Sequence, residues 1–281
     1  MSEGVDISQT PLGASSPYVM RVNLGTNVPE TDVRTALATG DTGFLHSFTT
    51  GSTVDGPGVR VVAWTAGCMW RCLYCHNPDT WTMSNGMLVT VERAAEELRK
   101  YRHGLKVMSG GFTLSGGEPL MQHRFAVKLF AAARAMGIHT AVETNGYYGA
   151  KLSDAELETI DLVLLDIKTW DSERHRRLTG MTNDATRTFA QRLAANKRPM
   201  WVRFVLVPDL TDHFDDVKSI ASFVATLGNV QRVEILPFHQ LGRYKWKELG
   251  IPYQLEQTDP PTAEAVENVC GLFRAEGLTA Y

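Results

Sequence analysis

The feature that most constrains the fold is an alternation repeated along the chain. Six short apolar runs rich in β-branched residues read as buried strands: VRVVAWT (59–65), FTLS (112–115), IHTAVET (138–144), LVLLDI (162–167), MWVRFVLV (200–207) and RVEILPF (232–238). Between them lie segments with helical spacing: VERAAEELRKY, RFAVKLFAAARAM, ATRTFAQRLAANK and DDVKSIASFVATL. A last helix, TAEAVENVCGLFRAEG, closes the chain, with Thr262 as its N-cap and Gly277 as its stop. Strands alternating with helices call for an α/β fold with a parallel sheet and right-handed crossovers. Six repeats suit an open barrel and a doubly wound sheet equally, so the pattern alone does not choose. In both, ligands meet the chain at the C-terminal ends of the strands.

That rule gives each motif an address. The cysteine-rich stretch GCMWRCLYCHNP follows the first run, SGGEP the second, ETNG the third and DIK the fourth; VPD follows the fifth and PFHQLG the sixth. Packing does not explain chemically loaded residues at the end of every strand. The pattern implies one shared active-site face.

Composition narrows the setting. The 281 residues, 43% hydrophobic, suffice for one large α/β domain, since single barrels run to roughly 250 residues. A net charge of -3 and a pI near 6.2 provide no footprint for nucleic acid or an anionic membrane surface. No apolar run approaches the roughly 18 residues of a membrane span, and the opening MSEGVDISQTPLGASSPYVM lacks a secretory pattern. Four cysteines do not make a disulfide scaffold in a chain of this size. A cytoplasmic protein with free thiols is expected. Residues 1–42, rich in Ser, Thr, Gly and Pro, read as a flexible extension in which TDVRTALATG offers a short helix; 43–281 form the core domain.

Cys68, Cys72 and Cys75 form C-x3-C-x2-C. A structural zinc site would need His76 or the distant Cys270 as fourth ligand. His76 cannot easily wrap onto the ion held by its neighbour Cys75, and zinc ligands usually come as two separated pairs. CLYCH matches the haem-attachment pattern C-x-x-C-H but leaves Cys68 without a role and belongs to exported proteins. The remaining option is a [4Fe-4S] cluster, where three thiolates leave one iron open for chemistry. Cys270, inside an amphipathic helix, reads as a packing residue.

Other motifs carry an ordinary reading beside a functional one. SGGEP suits a strand-to-helix turn, with Glu118 in the helix's first turn and Pro119 at N1. Asp166 and Lys168, two apart, share a strand face and suit a buried ion pair. Arg203 suits either a cofactor carboxylate or a core ion pair. DGPG, with Asp55, suits a turn.

A C-x3-C-x-aromatic-C motif after a first strand resembles the signature of radical S-adenosylmethionine (radical SAM) enzymes. LHSFTTGSTVDGPGVR, GCMWRCLYCHNPDTW, SGGEP, ETNG, LLDIK, WVRFVLVPD and ILPFHQLGRYKW are similar to motifs of the family that activates glycyl radical enzymes, in its pyruvate formate-lyase branch. The resemblance runs from about Gly43 to the C-terminus. It implies a partial (β/α)6 TIM-like barrel. It also implies an oxidoreductase in which Cys68, Cys72 and Cys75 hold a [4Fe-4S] cluster whose open iron chelates SAM. Reductive cleavage of SAM then gives a 5′-deoxyadenosyl radical that takes a hydrogen from a glycine of the partner enzyme. That partner is expected to be pyruvate formate-lyase, with another glycyl radical enzyme or a small molecule as the alternative. A flavodoxin- or ferredoxin-type protein is the implied electron donor.

The resemblance extends to single residues. Tyr74 and His76 are implied to lie against the adenine, and Gly116, Gly117 and Glu118 beside the methionine amino group. Asp166, Ile167 and Lys168 would meet the methionine carboxylate and ribose, with Lys168 counted among the catalytic residues and His239 as a further SAM contact. Asp55 and its glycines would help receive the partner's glycine loop. A monovalent cation is implied at Glu143, Thr144, Asp166 and the Leu164 carbonyl, although the family pattern has Asp where Glu143 stands.

Overall fold

The computed structural model describes residues 33–281. The expected extension therefore falls mostly outside the described residues, and only its end is seen. The chain divides into two compact units. Of the described residues, the first unit takes those up to Met69, then Asp79–Glu143 and Lys151–Asp161; the second takes Trp70–Pro78, Thr144–Ala150 and Leu162–Tyr281.

The first unit opens with helix α1 (Val33–Thr39), within the stretch that offers a short helix, and strand β1 (Thr42–Ser52). Then come β2 (Arg60–Thr65), β3 (Met87–Thr90), α2 (Val91–Arg99), α3 (Arg102–Val107), β4 (Gly111–Gly116), α4 (His123–Ala135), β5 (His139–Thr144) and α5 (Asp154–Leu157). The last residue of β5 falls in the second unit. The strands lie in the order β3-β1-β2-β4-β5: the first three antiparallel, and β2, β4 and β5 parallel. Register pairs Val62 with Thr113 and Trp64 with Ser115, so these four side chains share one face. Phe112 and Leu114 point the other way and are fully buried. There the Phe112 ring meets Phe130 of α4 at 6.1 Å. Phe125, Ala126, Leu129, Phe130 and Ala133 make the buried stripe of α4, the spacing that marked it as a helix.

The DGPG loop enters β2 at its N-terminal end, whereas Cys68 follows its C-terminal end. Arg60, fully buried, fastens that loop. Its Nε donates to Thr113 Oγ1 at 2.9 Å, and the Thr113 hydroxyl donates to the Asp55 carbonyl at 2.6 Å. The Asp55 carboxylate accepts from the Ser52 hydroxyl. Asp55 thus sits in a fastened turn.

The second unit contains β6 (Leu162–Asp166), α6 (Ser172–Thr179), α7 (Asp184–Ala195), β7 (Met200–Leu206), α8 (Phe214–Ala225), β8 (Val230–Pro237), α9 (Arg243–Glu248) and α10 (Ala263–Ala275). Its strands run in the order β6-β7-β8, all parallel. Thr262 caps α10 by accepting from the Ala265 amide at 3.1 Å, and Gly277 follows the helix at φ 81°, in the left-handed region that glycine enters without strain. Cys270 is 1% exposed and faces inward with Val269 and Phe273.

Candidate active site

In the first unit, the approach to Cys68 is held by main-chain bonds. The Gly67 amide donates to Thr80 O at 2.7 Å and the Cys68 amide to Trp81 O at 3.1 Å. The SGGEP turn closes on the same stretch, with the Glu118 amide donating to Gly67 O at 2.8 Å. Gly117 is obligatory there, because a Cβ at this position would stand 2.3 Å from Gly67 O. Gly116, at φ 118°, has a conformation that L side chains rarely adopt. Glu118 is 1% exposed and acts as the N-cap, not a first-turn residue: its carboxylate accepts from the Leu120 amide at 2.9 Å, with Pro119 opening the short 3-10 turn. At β5, Glu143 accepts from the Ser115 hydroxyl at 2.6 Å.

Beside this turn lies a pair that sequence spacing does not reveal. His46 of β1 reaches the buried Asp79 carboxylate, Nε2 to Oδ2 at 3.2 Å. Asp79 belongs to the short turn Pro78–Thr80, so the pair ties β1 to the segment whose carbonyls hold Gly67 and Cys68.

In the second unit, the end of α6 holds the cysteine loop. Arg71 N–H donates to Thr179 O at 2.7 Å and Leu73 N–H to Leu178 O at 3.0 Å. Between Cys72 and Cys75 the loop closes on itself, the Cys75 amide donating to Cys72 O at 3.1 Å. Tyr74 turns inward to pack with Leu178, Val207, Phe238 and Leu255.

The PFHQLGRYKW stretch grips the far side of this loop. The His76 and His239 rings stack with centroids 4.1 Å apart, and His76 Nε2 donates to the His239 carbonyl at 3.1 Å. His239 also caps the following turn, its Nδ1 accepting from the Leu241 amide at 3.4 Å. Burial, then the neighbouring His239, lowers the His76 pKa to about 4 and leaves the ring neutral. A Cβ on Gly242 would stand 2.7 Å from the His76 Cα, so the turn backs directly onto the loop.

Asp166 ends β6 and Lys168 lies two residues past the strand, so the two meet as an ion pair, 3.3 Å apart, without sharing a strand face. The Lys168 ammonium stands 5.3 Å above the centre of the Tyr74 ring. Burial works against its charge, but Asp166, with Tyr74 and Cys72, holds its pKa well above that of an ordinary lysine. Ile167 is buried, its amide on Arg203 O at 3.1 Å. Thr144 Oγ1 accepts from the Gly146 amide at 3.0 Å within its own turn. For Arg203 the core ion pair is what forms, Nε to Glu234 Oε2 at 2.9 Å.

The donor chemistry fits an iron–sulfur cluster. Cys68, Cys72 and Cys75 form no disulfide, so their sulfurs are open to a metal. Burial pushes the Cys72 thiol up to about 12, so a thiolate there needs a cation to hold its charge. Among the described residues, no three His, Cys, Asp or Glu side chains group as they would around a single metal ion. Cluster thiolates bind separate irons and need no common point.

The radical SAM superfamily model matches residues 62–224. The pyruvate formate-lyase-activating enzyme of Staphylococcus epidermidis is 44% identical over 233 residues, covering 80% of this chain and 92% of that protein. The pyruvate formate-lyase 1-activating enzyme of Escherichia coli K12 is 41% identical over 237 residues, covering 84% and 96%. This chain belongs to the radical SAM family of pyruvate formate-lyase-activating enzymes. Its fold is the α/β, partial-barrel fold of radical SAM proteins. A solved radical SAM methyltransferase from Sphaerobacter thermophilus, only 17% identical, superposes with a TM-score of 0.54 over 91% of this chain and 81% of its own. Sequence spacing does not reveal His46, Asp79, Gly242 or Trp246, whose indole Nε1–H donates to the Cys75 carbonyl. Their partners lie far away along the chain, and no local period marks them.

Proposed function

We propose that this chain activates pyruvate formate-lyase under anaerobic conditions by generating a glycyl radical on it. The observation that carries the reading is the identity of 41–45% to pyruvate formate-lyase-activating enzymes across 92–96% of their length. Cys68, Cys72 and Cys75 hold a [4Fe-4S] cluster. Tyr74, Cys75, His76, Gly116, Gly117, Glu118, Asp166, Ile167, Lys168 and His239 receive SAM. When bound, cluster and SAM supply the one-electron cleavage that removes a hydrogen from the partner's glycine.

The protein's own part is position and charge. Lys168, kept protonated beside Asp166, offers a cation to the methionine carboxylate. The Gly116–Gly117 turn, lacking side chains, packs flush against the stretch that leads to Cys68, and this close approach sets where its main chain meets the ligand. Neutral His76, stacked on His239, presents a flat ring to the adenine. A monovalent cation is assigned to Glu143, Thr144, Asp166 and the Leu164 carbonyl. The electron donor is a flavodoxin- or ferredoxin-type protein, and the setting is the cytoplasm.

Replacing Cys72 by Ser tests the reading. The variant is expected to lose both the iron-dependent absorbance and SAM cleavage under reducing, anaerobic conditions. Cleavage that survives the substitution contradicts the assignment.

A further inference from the structure

Trp246 is a deeply buried polar aromatic to which the proposed chemistry assigns no role. Its side chain is 5% exposed, and its indole Nε1–H donates to the backbone carbonyl of Cys75 at 2.8 Å. The Tyr253 ring, 5.0 Å away, backs the indole. Other contacts from the same segment reach the residues next to Cys75. Lys245 Nζ donates to Asn77 Oδ1 at 2.8 Å, and Gly242 abuts the His76 backbone. Of these contacts, the Trp246 bond ends on the main chain of a cysteine itself.

We infer that Trp246 is a positioning residue for the iron–sulfur loop: its indole N–H fixes the Cys75 peptide and tunes the cluster that Cys75 helps to hold. The inference rests on the cluster assignment proposed above. Two physical effects support it. A buried carbonyl strongly favours the one backbone orientation in which it keeps its donor, so the bond selects a single conformation of the loop. A donor on that carbonyl also withdraws negative charge close to the thiolate. A cluster gains negative charge on reduction, and hydrogen bonding around its ligands sets its potential. The indole therefore favours the reduced state.

The test compares wild type with Trp246→Phe, which keeps an aromatic ring and removes the donor. In the metal-free chain, iodoacetamide alkylation of Cys75 is followed by mass spectrometry. Trp246→Phe is expected to react about 5-fold faster, the change in open population when one hydrogen bond is lost. In the anaerobically reconstituted protein, iron and sulfide content is expected to match wild type, while the midpoint potential moves to more negative values in an EPR-monitored titration. Trp246→His, which restores a ring N–H, is expected to return both readouts toward wild type. If Trp246→Phe fails to fold, benzothienylalanine at position 246 keeps the ring shape without the N–H and is held to the same outcomes. Unchanged alkylation and potential in the donor-free variant overturn the inference, as does an equal loss in the Phe and His variants. Wild-type protein that binds no iron or sulfide instead sinks the cluster assignment, and the alkylation result still judges the positioning of Cys75.

Discussion

His175 shows how one side chain supports the site from behind. Its ring meets Trp70 edge-on at 4.8 Å, and its Nδ1–H donates to Met181 O at 2.7 Å. It sits on α6, whose last carbonyls hold the cysteine loop. Burial lowers its pKa to about 4, even though the Met181 bond favours the charged form. The unfolded chain takes up this proton near pH 6.5 and the folded chain only near 4, so the unfolded state binds more protons between the two. The stability His175 confers is therefore complete above about pH 6.5 and is lost as pH falls toward 4, a change of about 3 kcal/mol. Urea unfolding of the metal-free chain at neutral and mildly acid pH should show this loss, and His175→Phe should reduce it; an unaltered pH dependence in the variant would contradict the assignment. Cys270 makes a second case. As a buried packing residue in α10, its replacement by Ala should cost about 1–2 kcal/mol and leave the full iron content. Loss of iron would instead make it a ligand. The three clustered cysteines could be found from spacing alone. The His46–Asp79 and Trp246–Cys75 contacts could not, because each joins residues that only the folded chain brings together.

Among the elements, the β4 turn makes the sharpest demand on sequence. With Gly117 lying against Gly67 O, Gly117→Ala must push the SGGEP turn away from the strand that leads to Cys68. Overpacking of this kind should destabilise the chain by about 1–3 kcal/mol and weaken SAM binding more than 10-fold, read by thermal melting and equilibrium dialysis. Wild-type affinity in a folded variant would remove the turn from the cofactor site. Legibility differed between the two kinds of strand. The parallel strands β2, β4, β5, β6 and β7 are largely buried on both faces and so appear as continuous apolar runs, whereas β8 buries only Val233 and Ile235. β1 is longer than any of them, yet TGFLHSFTTGS mixes Gly, Ser and His with its apolar residues and is only half-buried toward its end. β3 is just four residues long. These two antiparallel strands leave no signal to separate them from the extension and the loop around them. Helices were easier. The apolar stripes of α4 and α10 carry both their period and, for α10, their caps.

Over the whole molecule, the candidate residues are shared between two units. Cys68, Gly116, Gly117, Glu118 and Glu143 belong to the first, and Cys72, Tyr74, Cys75, His76, Thr144, Asp166, Ile167, Lys168 and His239 to the second. Each unit fixes its own share by short main-chain bonds and buried pairs. None of the helices among the described residues is long and apolar enough to cross a membrane. The central claim is that this fold serves to place a radical on another protein. It is tested most directly by EPR after anaerobic incubation of the reconstituted chain with SAM, a reductant and purified pyruvate formate-lyase. A glycyl radical signal on the lyase that requires SAM and disappears with Cys72→Ser is the predicted result. SAM cleavage by a fully loaded chain with no radical on the lyase would contradict it.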